Sequence, residues 1–142
     1  MKNLFNLKHL AALLLLCITI TSCEKDKDEP APDLATKVSG TYTFSELEFD
    51  GQTVPADKSD LKGNIKITRK TETTVDAELD IRSKSTGDDF MVYDVNDIKL
   101  SEDGSTIDLV YDGERVAQIK GKKIIINATD DVGTDFTLTA TR

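Results

Sequence analysis

Few side chains in this sequence could do nucleophilic or metal chemistry, and the best suited lie near its start. The chain of 142 residues holds two cysteines, Cys17 and Cys23, and one histidine, His9. Ser-His and Cys-His pairs need an imidazole, and most zinc sites need imidazoles or thiolates. If the segment carrying Cys17 and His9 is removed and Cys23 is modified, the mature chain has neither. Carboxylates remain plentiful, with 26 Asp and Glu. Asp88-Asp89, and Asp130-Asp131 with Asp135, could offer oxygens to calcium. Neither group has the spacing of a twelve-residue calcium loop, and solvated acidic turns explain them better. No spacing singles out one carboxylate pair for glycosidic chemistry. The reading is a protein that is not an enzyme and needs no cofactor.

The first residues read as an address. Lys2 and Lys8 precede the apolar run Leu10–Ile20, followed by Thr21, Ser22 and Cys23. That is the layout of a secretory signal peptide over residues 1–22. The run is shorter than the roughly 20 apolar residues of a membrane span. The acidic and basic stretch from Glu24 to Glu29 follows directly. Ile20-Thr21-Ser22-Cys23 resembles the bacterial lipobox. The resemblance implies cleavage before Cys23 and lipid on that cysteine, with more than one acyl chain giving stable attachment. Lys25-Asp26 and the acids behind it resemble the export signal of Bacteroidetes surface lipoproteins. That implies the outer membrane and exposure at the cell surface. Membrane contact would run through the lipid on Cys23 alone. Removing residues 1–22 takes away two lysines and no acid, so the net charge of −8 becomes −10. So acidic a chain is repelled by phosphates, which argues against nucleic acid. Residues 23–37, with Pro30 and Pro32, read as the lipidated cysteine and a flexible stalk.

The elements that must position any site are strands. Val75, Ala77, Leu79 and Ile81 alternate with polar residues, as do Phe136, Leu138 and Ala140. Ile107, Leu109 and Tyr111 share one face. The spacing predicts eight strands, at 40–49, 63–70, 73–83, 89–100, 106–111, 115–120, 123–129 and 134–141. Asp103-Gly104, Asp112-Gly113 and Gly121-Lys122 mark short hairpins. Parity breaks predict bends near Ser45-Glu46 and Val95-Asn96. Six of the seven links are short, so neighbours pair as a meander. A meander with one apolar face leaves open edges unless it closes into an up-and-down barrel. A two-sheet sandwich is the alternative.

Val38-Ser39-Gly40-Thr41-Tyr42 resembles the Gly-x-Trp motif that opens the first strand of the calycins. It is closer still to the lipocalin-like domains of Bacteroidetes lipoproteins. The resemblance implies an all-β, eight-stranded antiparallel lipocalin-like barrel over residues 38–142. Here Tyr42 stands for Trp. The resemblance also implies a structural clasp in which a basic residue of the last strand, matched by Arg142, lies across the ring of Tyr42. The inward face then offers Phe44, Leu79, Ile81, Leu109 and Tyr111 to a small apolar ligand, with the Asp50–Lys62 link as a lid. The alternative is a filled barrel that serves as a protein-interaction or inhibitor module, its partner held on the outside. The interior volume separates the two.

Overall fold

The computed structural model describes residues 31–142. Nine strands and one short helix follow one another there: α1 (Leu34–Val38), β1 (Gly40–Phe49), β2 (Gln52–Pro55), β3 (Leu61–Arg69), β4 (Thr74–Ser83), β5 (Asp89–Asp103), β6 (Thr106–Tyr111), β7 (Glu114–Lys120), β8 (Lys123–Thr129) and β9 (Asp135–Thr141). The strands pair antiparallel in the order β2-β1-β3-β4-β5-β6-β7-β8-β9, and β9 returns to pair with β1. The result is a closed eight-stranded barrel with β2 as an extra strand beside β1. The closure expected from the short links is borne out, and the sandwich is not.

The core follows from alternation. Ile65, Ile67, Val75, Ala77, Ile81, Ile107, Leu109, Ile124, Ile126, Leu138 and Ala140 are buried inside the ring. Both expected bends are bulges. In β1 the register against β9 shifts between Phe44 and Glu46. In β5 both Asn96 and Asp97 face the single residue Asp76, between the pairs Val75–Ile98 and Ala77–Val95. Asp97 takes a positive φ of 61° and donates its N–H to the Asp76 carboxylate at 2.9 Å. Lys70 reaches Asp97 at 2.7 Å and Asp76 at 3.6 Å, offsetting half of their combined charge. The bulge switches the buried face of β5 from Met91 and Val95 above it to Ile98 and Leu100 below.

Two expectations need correction. The chain from Asp33 onward is not stalk. Asp33 caps α1 by accepting the Thr36 N–H at 2.7 Å, and Ala35 and Val38 are fully buried. The five-residue helix sits at the end of the barrel where β1 begins. Within the 50–62 link, Gln52–Pro55 forms β2, in register with Glu46–Phe49. In β7 the buried residues are Ala117 and Ile119. A register shift against β6 leaves Val116 unpaired and turns it toward the interior beside Ala117.

Candidate functional site

The two ends of the barrel differ in finish. The end that holds α1 is sealed. The Arg142 guanidinium carbon stands 5.1 Å from the centre of the Tyr42 ring. Its two terminal nitrogens donate to the Ser39 and Lys37 carbonyls, each at 2.6 Å. Tyr42 is fully buried, and its hydroxyl donates to the Val38 carbonyl at 2.8 Å. Burial pushes the Tyr42 phenol above its ordinary pKa, and the nearby Arg142 charge opposes part of that rise. Gly40 belongs to this arrangement. It has a φ of 141°, and a Cβ there would lie 3.2 Å from an Arg142 nitrogen.

The opposite end sets exposed apolar side chains among acidic turns and is open on one side. Among the described residues the exposed large hydrophobic side chains are Phe49, Phe90, Tyr93, Tyr111 and Val132. They come from the end of β1, the start of β5, the end of β6 and the β8–β9 turn, all at that end. Isolated exposed apolar residues are ordinary, but their segregation to one end is not.

Strand lengths create the opening. β5 pairs with β4 from Asp89 to Lys99, but with β6 only from Lys99 to Asp103. The β6–β7 hairpin therefore forms a low wall, and the upper half of the β4–β5 hairpin overhangs it. That hairpin also leans across the mouth. Phe90 is the extra residue of a second β5 bulge, and its ring lies 5.7 Å from that of Phe136 on β9. β5 and β9 stand on opposite sides of the ring, so this contact spans the barrel. The hairpin tip is tied down by Asp60, which accepts from the Ser83 and Ser85 hydroxyls at 2.6 and 2.7 Å. These hydrogen bonds hold the Asp60 carboxyl below its usual pKa. Lys84 donates to the Ser59 carbonyl at 2.8 Å. The 50–62 link is thus fastened to the barrel and does not line the interior cavity; what covers the mouth is the β4–β5 hairpin.

Behind the low wall is a cavity of about 110 Å³, lined wholly by apolar side chains that include Ile67, Leu79, Val95, Tyr111 and Val116. Of the five residues expected to meet a ligand, Leu79 and Tyr111 line it. Phe44, Ile81 and Leu109 do not; they are packed into the core. Cys23 lies outside the described residues. Sequence reasoning missed Tyr93, which is 60% exposed and paired with Leu79 at the edge of the opening. The signal was the parity break at Val95-Asn96, which puts Tyr93 on the same face as Val95.

A larger recess, about 450 Å³, is an open groove against β1, β8 and β9. Four of its polar side chains bond in pairs, Thr137 to Asn127 at 3.0 Å and Thr129 to Asp135 at 2.7 Å. Asp130 is occupied in its own turn, accepting from Val132 and Thr134 N–H groups. Among the described residues no cluster of three or more His, Cys, Asp or Glu could hold a metal ion, and no helix is long and apolar enough to cross a membrane.

No protein-family model matches the chain, and no curated protein is similar to it. Among solved structures, one from the de novo design of a fluorescence-activating β barrel is similar at 14% identity, over 78% of this chain and 97% of that one, with a TM-score of 0.41. That likeness is too slight to bear on what this chain binds.

Proposed function

We propose that the protein is a lipid-anchored, non-enzymatic binding module with a lipocalin-like domain. Cys23 carries the lipid at the outer membrane, with the barrel exposed at the cell surface. The open end of the barrel holds a protein partner. The observation that carries this reading is the gathering of Phe49, Phe90, Tyr93, Tyr111 and Val132 at one end, opposite α1, where the chain enters the domain. Aromatic side chains are favoured anchors in interfaces because they bury much area at little entropic cost. The interior supports a protein partner over a lipocalin-style ligand. Ligand pockets run from about 300 to 1,000 Å³, and this cavity is about 110 Å³.

The test is photo-crosslinking of the full chain in its own cells. A photoreactive residue at Tyr93 gives a discrete protein adduct, and one at Lys37, at the sealed end, does not. Equal labelling at both sites, or none at Tyr93, overturns the reading. Cys23→Ser shifts the protein from the membrane to the soluble fraction if the anchor is as proposed.

A second reading rests on the wholly apolar lining. An apolar cavity of roughly 150 Å³ is known to stay dry and take up benzene, so this one suits a molecule of about that size at most. Benzene or xenon titrated into the full chain, followed by methyl shifts of Leu79 and Val95, reports on it. A response that persists after Ala117→Leu would place the molecule elsewhere.

A further inference from the structure

From the unpaired edge of upper β5 we infer that it accepts an extended segment of a partner protein, bearing alternating apolar and cationic side chains, as an added strand. This rests on the reading of the open end as the binding face, and supplies its mode of recognition. The register shows which main-chain groups are available. Lys70 N–H donates to the Thr74 carbonyl at 3.0 Å, which sets the alternation of β4. Asp76, Glu78 and Asp80 then bond toward β3, and Ala77, Leu79 and Ile81 bond toward β5. Their partners Val95, Tyr93 and Met91 are thereby used. The main-chain N–H and C=O groups of Val92 and Asp94 point to the free edge, since β6 pairs only from Lys99 onward.

Proteins blunt such edges with Lys, Pro, bulges or covering loops, because a free edge templates pairing with another chain. The Asn96-Asp97 bulge ends this edge, but Phe90-Met91-Val92-Tyr93-Asp94-Val95 holds no Lys, Pro or Gly. Its residue types favour strands. An added strand would turn alternate side chains toward Tyr93, beside Tyr111 and the cavity. Those must be apolar. The others would face outward beside Asp94 and above Asp112 and Glu114 of the β6–β7 turn. None of these three carboxylates has an ion-pair partner among the described residues. Cations belong there. A second copy of this chain fits poorly, because each carries a net charge of −8 and edge pairing would bring two such acidic surfaces together. Strand addition takes affinity from main-chain hydrogen bonds and specificity from alternate side chains.

The experiment titrates the full chain with a short synthetic peptide of alternating valine and lysine. Controls are the same peptide interrupted by proline, and one of alternating valine and glutamate. The expected result is saturable binding of the valine–lysine peptide, roughly tenfold tighter than either control, with slowed exchange of the Val92 and Asp94 amides. Val92→Pro removes an outward N–H and no ladder bond, as proline on an edge strand can. It lowers affinity roughly tenfold and leaves the unfolding midpoint in place. If Val92→Pro does not fold, the exchange of the two amides in the unaltered chain decides. Unchanged binding by folded Val92→Pro, or no protection of those amides, overturns strand addition. If Tyr93→Ser and Tyr111→Ser then weaken binding, the open end survives as the binding face without this mode. No binding of any peptide also overturns strand addition, and the crosslink at Tyr93 then judges the wider reading separately. Self-association through β5 in the absence of peptide overturns the cationic occupant in favour of a second copy.

Discussion

Arg142 donates to two carbonyls at the end of α1 while its charge rests over a buried ring. Hydrogen bonds from a charged donor are worth about 1.5–3 kcal/mol when well sheltered, and less at an exposed residue such as this. Arg142→Ala should therefore cost about 1–2 kcal/mol, read from denaturant unfolding. Tyr42→Phe keeps the stacking but removes the bond to the Val38 carbonyl, at a cost of about 1 kcal/mol. Asp33 gives a pH signature. Hydrogen bonds from Arg69 and from the Thr36 amide lower its pKa from 3.8 to about 2. The folded state thus holds the charged form more tightly than the unfolded chain does. That stability is intact above about 3.8 and is lost as pH falls through about 2. Asp33→Asn should flatten stability across that window while leaving it unchanged in slope near neutrality, and acid titration by circular dichroism checks this. Tyr42 and Arg142 were legible only through the resemblance that the first-strand motif carries. Asp33 was not, because a cap signals a helix only when apolar periodicity follows, and five residues are too few to show it.

Strand interiors were legible because one wet face forces a period of two, and the bulges near Glu46 and Asn96 because that period breaks there. Element ends were not. β2 carries one aliphatic residue and a proline, so nothing in Gln52–Pro55 alternates. Its signal was the turn before it: Asp50-Gly51, with φ values of 48° and 71°, is the same hairpin chemistry as Asp112-Gly113. The overhang of β5 depends on where β6 stops pairing, and no single strand's pattern records a neighbour's length. Two predictions belong here. Asp97 sits at a φ of 61°, so Asp97→Gly should stay within about 0.5 kcal/mol, because relief of the backbone offsets loss of the Lys70 pair. Asp97→Val should cost about 2 kcal/mol, since a branched side chain resists that conformation. Comparing the two midpoints in urea separates backbone from charge. At Gly63 a Cβ would sit 1.9 Å from the Asp80 carbonyl oxygen. Gly63→Ala should lower stability by more than about 2 kcal/mol, seen in the same melts.

At the scale of the whole molecule, closure was readable from link lengths, but interior volume was not. Volume depends on how far the ring flattens and on which residues the bulges turn in. The Val116 bulge adds to the interior a side chain that strict alternation with Ala117 and Ile119 would turn outward. The remaining cavity makes a further expectation. Ala117 is buried and lines it, so Ala117→Leu should raise stability by about 0.5–2 kcal/mol, measured by thermal unfolding. Finally, Arg142 touches the carbonyls of Lys37 and Ser39, so the last residue lies beside the first helix of the domain. A circular permutant follows. A short glycine–serine bridge from Arg142 to Asp33, with new termini cut at the exposed Asp112-Gly113 tip, would thread the same ring in a different order. Such a rearranged chain would leave the β4–β5 overhang untouched.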